Sequence, residues 1–212
     1  MTSFVVYGFA GSTFTRIVRM AFAEKAVPYE HVAVGIHDGA NRSAEHLARH
    51  PFGKVPALGV DGTYVYETDA ILELLEGLHP EPPLFPDDVL ARARMRQWMS
   101  VIHTYAYPAM VSVLMWERLL KPMMGREPDL DAVGGVLPEV RRQLGLFDEQ
   151  LAGTACLAGD AFSAADLYLA AVVAFVARTP EGPDLLAAAP HVARWWEHMQ
   201  KRQSVRDTAL EI

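Results

Sequence analysis

Apolar residues recur along this chain in two rhythms, and the change between them falls near residue 80. Phe4-Val5-Val6-Tyr7 is a short β-rich run stopped by Gly8. After a loop, Ile17, Val18, Ala21 and Phe22 repeat at helical spacing within Thr15 to Lys25. Tyr29 to Val34 predicts a second strand after Pro28, and Arg42 to Arg49 a weak helix. Ala57 to Val60 and Tyr64 to Tyr66 predict two strands around Asp61-Gly62, a pair that favours positive φ in a tight hairpin. Thr68 to Leu78 predicts a helix with Ile71, Leu72, Leu74 and Leu75 turned inward. A βαβ unit, a helix and a ββα unit give a small mixed sheet with helices against it.

Beyond His79 the pattern is helical almost throughout. Met95, Trp98, Ile102, Tyr105, Ala109, Val113 and Trp116 predict one buried stripe on a long helix, with a kink at Pro108. Val136 to Ala152, Ser163 to Ala177 and His191 to Arg202 predict further helices. Leu167 to Ala177 is apolar at all eleven positions, so that helix should be buried on every side. Between the two rhythms, Pro80, Pro82, Pro83 and Pro86 cannot continue a helix or donate to a sheet, which predicts a stiff extended linker. The expected fold is an α/β domain over residues 1–79, a proline-rich linker over residues 80–87 and an all-α bundle over residues 88–212.

Composition narrows the function classes. Of 212 residues, 51% are hydrophobic and 21% charged, enough apolar surface for a sizeable core. The formal charge is −7 with no extended basic cluster, which argues against nucleic acid as a partner. No charged segment precedes an apolar one at the start, and no apolar run approaches the ~20 residues needed to span a bilayer. The single cysteine, Cys156, excludes internal disulfides, paired-cysteine redox motifs and cysteine-based metal sites. No second ligand stands at metal spacing from His50 or His103, so no metal is expected. A cytoplasmic protein, neither membrane-bound nor nucleic-acid-bound, fits best.

Three short stretches could carry chemistry. In Phe52-Gly53-Lys54-Val55-Pro56-Ala57-Leu58 a proline enters a strand, as an ordinary edge proline or as a cis peptide that turns the Val55 backbone toward a ligand. Glu67-Thr68 opens a helix, where a hydroxyl and free N–H groups either cap the helix or bind a carboxylate. Ser12, in Gly8-Phe9-Ala10-Gly11-Ser12-Thr13, is a cap or a donor to a thiolate or oxyanion held at the helix N-terminus. Ser163-Ala164-Ala165-Asp166 matches a capping box, and Asp166 is read as a folding element rather than an acid catalyst.

Taken in order, these stretches resemble the cytosolic glutathione transferases over nearly the whole chain. The resemblance is carried by Val6-Tyr7-Gly8 through Thr15-Arg16-Ile17-Val18, by His50 through Leu58, by Tyr66 through Ile71, and by Leu157-Ala158-Gly159-Asp160-Ala161-Phe162-Ser163-Ala164-Ala165-Asp166-Leu167. Its details look most like the serine-type phi class and related bacterial enzymes. It implies a thioredoxin-like N-terminal domain that binds glutathione as co-substrate and a helical domain that supplies most of the electrophile pocket. It further implies a cis Pro56 with Val55 pairing to the cysteinyl backbone, Glu67 and Thr68 on the γ-glutamyl end, and Asn41, Arg42 and Lys54 nearest the glycine end. Ser12 falls where the serine-type classes keep the hydroxyl that activates the thiol, with Tyr7 as its rival. Asn41 stands where phi-class sequences usually carry histidine, and Thr68 replaces the commoner serine. Phe52 resembles the family's dimer key, which implies a homodimer. Phe9, Phe14, Tyr105 and Trp116 are candidates to line an apolar electrophile pocket, though such aromatics are also ordinary core. The competing expectation is a non-catalytic binding or scaffold module on the same fold. Maleylacetoacetate isomerase, a third reading, usually shows Ser-Ser-Cys where this chain has Gly11-Ser12-Thr13.

Overall fold

The computed structural model describes residues 2–209; Met1 and residues 210–212, which the expected domain boundaries include, lie outside the described residues. The chain forms two compact units, one running to Leu84 and taking in the C-terminal segment from Arg202, the other spanning Phe85–Lys201.

The first unit opens with β1 (Phe4–Gly8), α1 (Thr13–Glu24) and β2 (Glu30–Ala33). A 3₁₀ turn (Ala40–Arg42) and α2 (Ala44–Arg49) lead to β3 (Ala57–Val60), β4 (Thr63–Tyr66) and α3 (Thr68–Leu78). The sheet order is β2-β1-β3-β4, with β1 parallel to β2 and antiparallel to β3, and β3 antiparallel to β4. Asp61 and Gly62, at φ 46° and 85°, make the hairpin turn that their residue types predict. Alternation along β1 puts Phe4, Val6 and Gly8 on the buried face, where Phe4 meets Phe22 of α1 at 5.3 Å in an edge-to-face pair. Gly8 allows α1 its close approach, because a Cβ there would stand 2.4 Å from Thr15 Oγ1. The predicted weak helix over Arg42 to Arg49 resolves into two pieces, since Ser43 is extended and caps α2 by accepting from the His46 N–H.

The proline-rich segment is fastened at its start. Lys25, buried, donates from Nζ to the carbonyls of His79 (2.6 Å) and Pro82 (2.9 Å) and pairs with Glu76 at 2.7 Å. Glu76 also accepts from the Leu84 N–H.

In the second unit α4 (Val89–Val101) runs into a π-wound stretch (Ile102–Leu120) that contains Pro108, then a final turn, α5 (Lys121–Met123). The buried line along it is Met95, Met99, Ile102, Ala106, Met110 and Leu114. This corrects the predicted stripe: Tyr105 is 57% exposed, and Trp98, Val113 and Trp116 are only half-buried. The wider winding moves the inward positions to a spacing of four, which the i, i+3, i+4 pattern does not anticipate. The bundle continues with α6 (Leu130–Ala152), α7 (Ala164–Val176), α8 (Gly182–Ala187) and α9 (Pro190–Met199). Helix α6 begins six residues before the predicted Val136 because Asp129 caps it at Ala132 N–H (2.9 Å), despite Gly134-Gly135 and Pro138. Every residue of α7 is buried, as its composition predicts. The predicted His191–Arg202 helix stops at Met199, and a separate α10 (Gln203–Asp207) belongs to the first unit. Among the described residues no helix is long and apolar enough to cross a membrane.

Candidate functional site

Strand register gathers the candidate residues of the first unit at one end of the sheet. Tyr7 pairs with Ala57, and Ala57 with Tyr66. The loop after β1, the Lys54-Val55-Pro56 approach to β3 and the Glu67-Thr68 exit from β4 therefore share that edge. Helices α1 and α3 both begin there, so two positive helix ends are directed at the same place.

Ser12 is the N-cap of α1. Its Oγ accepts from the Thr15 N–H at 3.3 Å and its own N–H donates to the Phe9 carbonyl at 3.0 Å, and neither bond uses the hydroxyl proton. Tyr7 lies on the opposite face of the sheet from α1. Its ring sits under the Arg49 guanidinium at 4.1 Å and against the edge of Tyr64 at 6.1 Å.

The Val55-Pro56 bond is cis. The loop that presents it is held from two sides. Asn41 Nδ2 donates to the Gly53 carbonyl at 2.7 Å, and the His46 Nε2 of α2 meets the Lys54 carbonyl at 2.8 Å. Gly53 has φ 60°, and a Cβ there would stand 2.9 Å from the Asn41 carbonyl and 3.0 Å from Arg42 Cδ, so both conformation and space demand glycine. Arg42 and Lys54 are exposed.

Glu67 takes φ 69°, a conformation that costs a non-glycine residue about 1–3 kcal/mol and recurs at functional sites. Its side chain is 61% exposed and does not cap α3, while Thr68 behind it is buried. His50 closes this corner: its Nε2 lies 4.0 Å from Glu67 Oε1, and its ring packs on Tyr66 at 4.8 Å. Burial is the largest influence on His50 and holds its pKa below the ordinary 6.5, against the pull of Glu67.

Of the sequence candidates, Ser12, Lys54, Val55, Pro56, Glu67 and Thr68 thus lie in the loops and helix start at this edge, Asn41 spends its amide nitrogen on the Gly53 loop, and Arg42 lies against Gly53. The sequence does not mark His46 as a brace, and it offers His50 only as a metal ligand lacking a second ligand at metal spacing. Their four-residue spacing, from α2 into the His50-to-Leu58 motif, was the available signal. Of the aromatic candidates, Phe9 is half-buried against Gly11 and the His37 ring (5.8 Å), and Phe14 is half-buried on the first turn of α1. Tyr105 and Trp116 belong to the second unit. Asp166 is fully enclosed there, accepting from the N–H groups of Leu157 (2.9 Å) and Ser163 (3.0 Å), the Ser163 hydroxyl (3.2 Å) and Trp195 Nε1 (3.1 Å), which is the capping box extended into a buried knot. No group of three or more metal-ligating side chains occurs among the described residues.

Two family profiles match the chain: glutathione S-transferase, N-terminal domain, over residues 6–83, and glutathione S-transferase, C-terminal domain, over residues 99–203. Glutathione S-transferase 4 of Zea mays is 33% identical over 205 residues, covering 96% of this chain and 91% of its own length. The solved structure of a glutathione S-transferase-I bound with lactoylglutathione superposes with a TM-score of 0.89 at 29% identity, covering 98% of each chain. A second solved structure, glutathione S-transferase I from maize in complex with an atrazine glutathione conjugate, gives 0.88 at 29% identity, covering 98% of this chain and 96% of that one.

Proposed function

The chain belongs to the glutathione S-transferase family, and from that premise we propose that it is a serine-type transferase that ionises the glutathione thiol for attack on an apolar electrophile. The observation that carries this reading is Ser12 at the N-terminus of α1, its lone pair taken by the Thr15 N–H and its proton free to donate. A free thiol has a pKa of about 8.5, so glutathione is mostly protonated near neutrality. A hydroxyl donor at the sulfur, together with the positive end of α1, favours the thiolate. One charge-assisted hydrogen bond contributes about 1.5–3 kcal/mol, enough to lower that pKa by a unit or more. The thiol proton passes to solvent. The thiolate lone pair then forms the C–S bond as an aryl halide expels halide, an epoxide C–O bond opens onto its oxygen, or an isothiocyanate C=N π pair moves to nitrogen and is protonated.

The rest of the cradle binds and orients. The Val55 backbone, turned outward before Pro56, pairs with the cysteinyl peptide groups. Glu67 takes the γ-glutamyl ammonium, and Thr68, with the α3 N-terminus, takes the neighbouring carboxylate. Lys54 and Arg42 offer exposed cations to the glycine carboxylate, and Asn41 holds their loop. Phe9 and Phe14 supply apolar surface beside the thiol. The Tyr7 ring, engaged by Arg49 and Tyr64, supports Ser12 as the donor. Phe52, 64% exposed beside this loop, supports a homodimer, which would sediment at twice the 23.4 kDa chain mass. We place the protein in the cytoplasm, where the glutathione pool is reduced.

The test is product formation. The protein is incubated with glutathione and a panel of aryl halides, epoxides and isothiocyanates, and thioether conjugates are read by mass spectrometry above the uncatalysed rate. Conjugates whose rate falls about 10- to 100-fold in Ser12→Ala support the reading. Absence of both glutathione binding and conjugates overturns it and leaves a binding or scaffold module.

A further inference from the structure

His46 on α2 and His50, the extended residue that caps the C-terminus of that helix, are four residues apart and 1% and 2% exposed. A buried imidazole asks for partners at both nitrogens, yet Nδ1 of each ring has none among the described residues. The two rings stack at 6.4 Å and direct their other nitrogens at different parts of the proposed cradle. His46 Nε2 meets the Lys54 carbonyl, one residue before Val55, and His50 Nε2 faces Glu67. Packing between α2 and the sheet would be served better by hydrocarbon side chains, which carry no desolvation cost.

We propose that His50 is a positioning residue for the γ-glutamyl end of glutathione, and that its protonation weakens the recognition of the ligand ammonium by Glu67. The inference rests on the glutathione reading of this site. When His50 is neutral, Glu67 presents its full negative charge to the ammonium. When His50 is charged, a cation stands 4.0 Å from Glu67 Oε1, competes for that carboxylate and repels the ligand's own cation.

The groups facing His50 are Glu67 from the corner between β4 and α3, His46 from α2, Lys54 from the loop and the phenol ring of Tyr66 from β4. Only Glu67 favours the charged imidazole by its charge; burial, His46 and Lys54 oppose it, so the change falls below pH 6.5. By linkage, a ligand that binds the neutral form better releases a proton on binding in that range.

The experiment is calorimetric titration of the full chain with S-methylglutathione, whose blocked thiol removes sulfur ionisation from the result, from pH 7 to pH 5. The wild type should lose about fivefold or more in affinity over that interval. His50→Asn should bind with nearly constant affinity; Glu67→Gln, which binds more weakly at pH 7 and has no carboxylate for the imidazolium to compete for, should keep only the smaller pH dependence left by the imidazolium's direct repulsion of the ligand ammonium. Glu67 is largely exposed, so this second variant decides the matter if His50→Asn fails to fold. A flat wild-type profile, or an undiminished pH dependence in either variant, overturns the role of His50 while leaving the glutathione reading intact. No binding by the wild type at pH 7 overturns the glutathione reading itself.

Discussion

Thr68 is the residue on which two physical roles converge, since the first hydroxyl of a helix can serve the helix or a ligand. The Glu67 side chain does not cap α3, and Thr68 is buried at a helix end whose preceding residue is held at φ 69°. Replacing Thr68 with valine keeps the shape and removes only the hydroxyl. Glutathione affinity, measured by calorimetry, should fall about tenfold with little change in thermal stability. Equal affinity would assign the carboxylate to backbone groups alone. Residue identity singles out Ser12, Val55-Pro56 and Glu67-Thr68 as candidates, because serine or threonine at a helix start and proline at a strand entry have few local meanings. It could not announce His46 or His50. A histidine on a short helix reads as surface or packing until the fold shows it buried and aimed at a carbonyl or a carboxylate.

Elements were legible where their signals were local. The Asp61-Gly62 turn, the Thr68–Leu78 helix and the wholly buried α7 follow from short windows of sequence. The π-wound stretch and the true start of α6 were not, because winding and an N-cap beyond a Gly-Gly pair depend on packing that no window reports. Helix α10 shows the same limit over a longer distance. Its neighbourhood is tied to α1 by Arg202, which donates to both oxygens of Glu24 at 2.8 and 2.6 Å, by Ser204 on the same carboxylate, and by buried Arg16 donating to the Val205 carbonyl at 3.2 Å. Burial pushes the Glu24 carboxyl up, but the Arg202 and Ser204 hydrogen bonds outweigh it and hold the pKa below 4.5. The folded state therefore binds fewer protons at Glu24 than the unfolded state. Its stabilisation is complete above pH 4.5 and is lost as pH falls through the depressed value. Glu24→Gln should cost about 1 kcal/mol at neutral pH, after discounting for the half-exposed arginine, and the cost should shrink below pH 4.5 in urea unfolding. In the second unit, Asp166→Ala leaves the Leu157 and Ser163 N–H groups and the Trp195 indole N–H without their buried acceptor. It should lower unfolding free energy by about 3 kcal/mol or more at unchanged denaturant slope, and a loss under 1 kcal/mol would contradict the knot's structural role.

Across the whole chain, the α/β beginning and the helical remainder were readable because the periodicity changes between them. The return of the C-terminal segment to the first unit was not, since nothing local distinguishes α10 from the end of a bundle. The site follows from topology more than from any single motif. Three loops meet because Tyr7, Ala57 and Tyr66 share one register row, and two helix ends meet there because α1 and α3 each leave that edge. What the arrangement is for reduces to one claim, that it stabilises a thiolate at Ser12. Ultraviolet difference titration of bound glutathione against pH, for the wild type and Ser12→Ala, reads that claim without requiring the right electrophile. The account predicts a wild-type thiol pKa well below about 8.5 and a rise of about one unit or more in the variant. A thiolate that persists unchanged in Ser12→Ala would contradict it.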